Sequence, residues 1–222
     1  MRRFLRRVLL VLVLLLLAFG GYGWLGYRDA MAAASEAAAR ADALIAAGQG
    51  GEALGLARRD MLLAVEDPAF DAHVGVDFTT PGAGITTITQ SLAKRMGFDE
   101  YRPGLAKIRQ TGYALGLERR LTKPQILALF LDTAEMGRGP DGDWITGFFA
   151  ASEAHFGAGP AEIEEAAFLS LVAVLIAPGT LSISPPNPAL TERLARIEAL
   201  LAGVCVPSGH DDVWLEGCAG GA

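Results

Sequence analysis

Four arginines, Arg2, Arg3, Arg6 and Arg7, are followed by an uncharged run from Val8 to Tyr27. About 20 such residues suffice to cross the hydrocarbon core of a bilayer as a helix. In lipid a lone segment must satisfy its own backbone polar groups, so helix is the structure open to it. The arginines, with no acidic residue before Asp29, orient the N-terminus toward the cytoplasm. Tyr22, Trp24 and Tyr27 fit an interfacial aromatic belt. The reading is residues 1–7 cytoplasmic, 8–27 a single transmembrane anchor, and the remainder outside. A cleaved signal peptide competes with it, because the strongly apolar part before Gly20-Gly21 is short and small-residue sites such as Ala30-Met31-Ala32 follow.

The chain carries 19 basic and 25 acidic residues; without the four leader arginines 15 face 25, leaving the outer part at about −10. That balance excludes a general nucleic-acid binder. The charge is uneven, since Lys94, Arg95, Arg102, Lys107, Arg109, Arg119, Arg120 and Lys123 cluster against only Asp99, Glu100 and Glu118. Such a patch is either a solvated face or a surface for anionic headgroups or a phosphorylated substrate beside the membrane. Two cysteines, Cys205 and Cys218, would pair in an oxidising compartment and close a small loop worth about 3 kcal/mol. His73, His155 and His210 are too scattered for a zinc site.

Helical periodicity dominates the outer part, and strand alternation is absent. Residues 28–51 read as an alanine-rich juxtamembrane helix and a glycine joint, 52–203 as one helical domain, and 204–222 as a tail holding both cysteines. Thr87-Ile88-Thr89-Gln90 and Thr122-Lys123-Pro124-Gln125 have capping-box form and should start helices. The second of these is expected to run to about Met136 and to be capped by Gly137. Residues 162–177 are expected to form the central core helix.

The stretch "VEDPAFDAHVGVD" places Glu66 and Asp67 directly before Pro68, which disfavours helix at Asp67. Glu66 is thereby put at the negative end of a helix dipole among apolar neighbours, and both influences raise a carboxyl pKa toward that of a general base. Solvation of a helix end is the plainer alternative. Gln90 and Lys94 lie four apart on one helical face, and Lys107 and Gln110 three apart beside an expected buried stripe of Leu105, Ile108 and Leu115.

"EDPAFDAHVGVD" resembles the first motif of the peptidoglycan glycosyltransferases, glycosyltransferase family 51, at Glu66, Asp67, Phe70, His73, Gly75 and Asp77. "GITTITQSLAKR" is similar to the second motif, and "LERRLTKPQILALFLDTAEMGRG", "AASEAHFG" and "FLSLVAVLIAPGTLSISPPNP" continue the family's order. The resemblance implies a mainly α, lysozyme-like glycosyltransferase domain behind the anchor, outside a bacterial inner membrane. It also implies polymerisation of a lipid-linked disaccharide-pentapeptide precursor (lipid II) onto a growing glycan strand. Glu66 matches the general base, while Thr86, Gln90, Lys94, Arg102, Lys107 and Arg196 match substrate-binding positions. Asp67, Phe70, His73, Gly75 and Asp77 support the site, with His73 read as a structural hydrogen-bonder. A divalent cation, Mg or Mn, and other cell-wall synthesis proteins are conceivable companions.

Departures from the pattern are specific. Gln110 stands where the family has a second glutamate, Ala128 and Asp132 replace a glutamate and an asparagine, and Arg196 stands beside Ala195 in place of paired arginines. Between Asp77 and Gly84 only Phe78 to Ala83 remain of a longer membrane-dipping insertion. These departures keep a second possibility open, a non-catalytic relative that binds the precursor or a cell-wall synthesis partner. A lysozyme-like hydrolase is disfavoured, because Gln110 removes the obvious second carboxylate.

Overall fold

The structure, a computed structural model, describes residues 1–220. Among the described residues there are eight α-helices: α1 (Arg2–Ala46), α2 (Leu56–Glu66), α3 (Ile88–Gly97), α4 (Ala106–Arg120), α5 (Lys123–Thr133), α6 (Phe148–Phe156), α7 (Glu165–Val174) and α8 (Pro188–Leu201). The strands β1 (Glu135–Arg138) and β2 (Trp144–Thr146) form an antiparallel hairpin between α5 and α6. The fold is mainly α, behind one N-terminal helix long and apolar enough to cross a membrane.

α1 runs unbroken through Tyr27 and Arg28, so the apolar run and the alanine-rich stretch are one rod of 45 residues. Its C-terminal half buries Gly26, Ala30, Ala34, Ala37 and Ala41, spaced three and four apart, mainly against α4. Small residues let the two backbones approach closely. A Cβ added to Gly112 of α4 would collide with the Gly23 carbonyl, and one added to Gly116 would lie 2.6 Å from the Ala30 methyl. Arg109 of α4 reaches Asp29 of α1 at 2.9 Å, and Arg40 pairs with Asp132 of α5, which gives that unusual aspartate a partner.

The buried face of α4 is formed by Gln110, Gly112, Tyr113, Ala114, Gly116 and Leu117. The expected stripe of Leu105, Ile108 and Leu115 is therefore corrected: Leu105 is exposed, and Ile108 and Leu115 line a shallow apolar groove with Phe19, Gly23, Trp24 and Tyr27 of α1. That stripe faces the apolar half of α1 instead of the core.

Every residue of α7 from Phe168 to Val174 is buried, and Phe168 meets Phe148 of α6 edge-on. α7 is the hub of the core, packing on α2, α6 and α8. α5 stops at Thr133, earlier than its periodicity suggests, and Met136 and Gly137 belong to β1. The hairpin escaped the sequence reading because strands of four and three residues with a register shift between Glu135 and Gly137 carry no alternation.

Thr122 caps α5 by accepting from the Gln125 amide, and the Gln125 side-chain oxygen accepts in turn from the Thr122 amide at 2.9 Å. Thr122→Ala should cost about 1 kcal/mol of unfolding free energy, read from the denaturant midpoint at unchanged slope. At Thr87 only half of the box forms: its hydroxyl oxygen accepts the Gln90 amide at 3.1 Å, while Gln90 Oε1 is buried with no partner among the described residues.

Candidate active site

Glu66 is the last residue of α2, and the chain turns away at Asp67 and Pro68. It opens into a cleft of about 550 Å³ whose walls include Thr86, Ser91, Lys94, Tyr101, Lys107, Gln110 and Arg193. A second cavity of about 610 Å³, reaching Arg95, Asp99, Glu135 and Pro178, shares Glu66, Ser91, Lys94 and Tyr101 with the first. Glu66 thus stands where two lobes meet.

Burial pushes the Glu66 carboxyl up to about 7; the adjacent Asp67 charge acts in the same direction, and Arg193 and Arg95 oppose both. A carboxyl poised there is suited to accept a proton near neutral pH. In the first lobe Lys107 Nζ donates to Thr86 Oγ1 at 3.0 Å, and burial, then the nearby Lys94 charge, brings its ammonium down to about 8. Lys94 lies 5.5 Å from the Tyr101 ring centre.

The residues beside Glu66 form a brace. Asp67 is fully buried; its carboxylate accepts the Ile88 amide at 2.9 Å and His73 Nε2–H at 2.9 Å. The Gly75 amide donates to His73 Nδ1 at 3.0 Å, which fixes the ring with its proton on Nε2. Thr87 Oγ1 donates to the Gly75 carbonyl at 2.9 Å, and Phe70 packs under His73 in edge contact. Gly75 has φ +99°, a conformation open to glycine. Burial would raise the Asp77 carboxyl, but the amides of Thr79 and Thr80 hold it down to about 2. These five residues shape the loop from α2 to α3 and keep Glu66 at its mouth.

Three of the expected substrate-binding side chains stand elsewhere. Gln90 points into the interior; the boundary between cleft and core falls within its helical face, so that Lys94, four residues on, lines the cleft and Gln90 does not. Arg102 is exposed and pairs with Glu100 at 3.0 Å. Arg196 pairs with Glu192 and donates to the Trp214 carbonyl at 3.1 Å. Gln110 lines the cleft with both ends of its amide engaged: Oε1 accepts from Tyr101 O–H at 2.8 Å, and Nε2 donates to the Gln90 carbonyl at 2.7 Å.

The sequence reading did not name Arg193, and it named Arg95 and Glu118 only as members of the charged cluster. Arg193 of α8 is buried beside Glu66, and its spacing of three from Arg196 was the available signal. Arg95 reaches Ser91 Oγ at 2.8 Å and Thr133 Oγ1 at 3.0 Å. Glu118 accepts from Lys123 at 2.7 Å while Lys123 also donates to the His73 carbonyl at 2.8 Å, tying α4 and α5 to the Glu66 loop.

A transglycosylase family model matches residues 52–202, from the turn before α2 to the end of α8. The chain belongs to the transglycosylase family. Among curated proteins it is similar to a biosynthetic peptidoglycan transglycosylase of Marinomonas sp., 32% identical over 149 residues that cover 62% of this chain and 64% of that protein. Proteins of the same description from Alcanivorax borkumensis and Shewanella amazonensis are 30% and 33% identical, over 66% and 60% of this chain and 63% and 57% of their own lengths. The match therefore spans about three fifths of these transglycosylases. The family match contains Glu66, its brace and both lobes apart from Asp211 and Val213, which line the first.

Proposed function

We propose that this chain is a membrane-anchored peptidoglycan glycosyltransferase that polymerises a lipid-linked disaccharide-pentapeptide precursor outside a bacterial inner membrane, with Glu66 as general base. The carrying observation is a carboxyl poised at about 7 at the junction of two lobes, one of which bears Lys94 and Lys107. An acceptor sugar hydroxyl in the second lobe gives its proton to Glu66. Its oxygen bonds to the anomeric carbon of the donor glycan held in the first lobe. The bond from that carbon to the diphosphate breaks, and the lipid diphosphate leaves with the bonding electrons. Fixed ammonium groups where that charge develops favour the transition state over the ground state. The descriptions of the relatives support the chemistry.

Among the described residues no three His, Cys, Asp or Glu side chains converge, so a Mg or Mn ion here would have to take most of its ligands from the diphosphate and water. Gln110 offers one oxygen, already taken by Tyr101. Neutralisation of the diphosphate is assigned to Lys94 and Lys107.

Purified full-length chain supplied with lipid-linked precursor should yield glycan polymer. Absence of polymer alongside intact precursor binding would instead favour a non-catalytic precursor binder, the reading that Gln110 motivates. In an active enzyme, kcat/KM should rise as Glu66 deprotonates near pH 7 and fall as Lys107 loses its proton near pH 8, giving a narrow bell. A plateau extending down to pH 5 would remove Glu66 as the titrating base.

A further inference from the structure

The segment between Cys205 and Cys218 lies beyond the matched family region, yet it forms one side of the cleft. The two cysteines are joined, with Cα atoms 5.3 Å apart. The Gly209 and His210 carbonyls accept the amides of Gly82 and Gly84 at 2.9 and 2.8 Å, and His210 Nε2–H donates to the Asp77 carbonyl at 3.3 Å. Contact is close enough that a Cβ on Gly84 would run into Val213, and one on Gly82 would lie 2.8 Å from the Pro207 ring. Asp211 and Val213 themselves line the cleft opposite Lys94 and Lys107. The space beside the shortened loop after Asp77 is thus occupied by the tail.

The other flank of the segment holds α8. The Val213 carbonyl accepts from Arg193 Nη1 at 2.9 Å, and the Trp214 ring lies 5.9 Å from the same guanidinium. Arg193 Nε has no partner among the described residues, so the Val213 bond is an important constraint on a buried cation facing Glu66. Within the segment, Asp212 accepts the Ser208, Gly217 and Glu216 amides at 2.8, 2.9 and 2.6 Å, an internal knot that the disulfide closes.

We infer that the disulfide-closed segment Cys205–Cys218 is a working wall of the active-site cleft that positions Arg193 opposite Glu66, so that its covalent closure sets the rate of turnover. The segment is a positioning element: it touches Arg193 through a backbone carbonyl and acts on Glu66 only through that residue. Opening the disulfide lets the Val213 carbonyl move away, and a buried guanidinium released from its acceptor reorients. Misplacement by about 1 Å at such a distance from the chemistry is enough to lower turnover about a hundredfold.

The inference rests on the transferase reading, and the test separates the two. Full-length chain is compared with Cys205→Ser/Cys218→Ser, with folded wild type treated with dithiothreitol, and with Arg193→Gln in oxidised and disulfide-free backgrounds. Opening the disulfide should lower kcat about ten- to hundredfold and speed hydrogen exchange at the Gly82 and Gly84 amides, while the melting transition remains cooperative. Arg193→Gln should add little to that loss, because both changes remove one interaction. Fully additive losses, or unchanged kcat with the disulfide open, would overturn the positioning role. If wild type makes no polymer, the transferase reading fails, and unchanged exchange at Gly82 and Gly84 would then overturn the wall itself.

Discussion

Glu66→Gln is expected to lower glycan polymerisation about a hundred- to ten-thousand-fold, the range for loss of a positioned general base. The amide keeps the shape of the carboxyl but cannot accept the hydroxyl proton. The same variant should be more stable than wild type in mildly alkaline solution. Glu66 titrates at about 7 in the fold against an ordinary value of 4.5, so the native state holds its proton more tightly than the unfolded chain. The contribution from that carboxyl is fully present below pH 4.5 and is lost as pH rises through about 7. At pH 8 the glutamine variant, which never ionises, should therefore gain on the order of 2–3 kcal/mol, and near pH 4 almost nothing. Paired activity assays and denaturant melts at both pH values check this; a variant that polymerises like wild type removes Glu66 from the mechanism.

Gln110→Glu carries the second large effect, a loss and not a restoration. In the fold the Gln110 amide donates to the Gln90 carbonyl, and an ionised carboxylate would face that carbonyl, buried, with nothing to give. Unfolding free energy should fall by about 2–3 kcal/mol at pH 8. At pH 4 the acid form can place its hydroxyl hydrogen on the Gln90 carbonyl and still accept from Tyr101, so the deficit should nearly vanish. A glutamate variant as stable as wild type at pH 8 would show that Lys94 and Lys107 compensate the new charge. The departure at position 110 is thus matched by its surroundings: the glutamine ties α4 to α3 through the Gln90 carbonyl and to the intervening loop through Tyr101.

What the sequence made legible was local. The cap at Thr122, the helix break at Pro68 and the long apolar N-terminal helix each depend on neighbours within one or two turns. Glu66, Lys94 and Lys107 could be named because they sit in short ordered motifs. Arg193 could not be chosen over Arg196, since the two share a helical face and only the packing of α8 on α7 and the tail turns one toward Glu66. Gln90 was expected at the substrate site from the resemblance of its motif, and it shares a helical face with Lys94, but that face straddles the edge of the core. The hairpin was too short for its period to register. The tail appeared as a mere staple because its partners, Gly82 and Gly84, lie more than 120 residues away.

α1 also acts as a gauge. A straight helix of 45 residues is about 68 Å long, of which about 30 Å would lie within hydrocarbon. The remainder is bound along α4 and α5 by the alanine stripe, Arg109 and Arg40, and so cannot swing like a tether. With α1 proposed to span the bilayer, the height and tilt of the cleft above the lipid follow those of a single rod. A precursor diphosphate at the headgroup level would then meet Lys94 and Lys107 at a set elevation. The lengthening glycan would have to leave sideways, because the domain cannot lift to let it pass beneath.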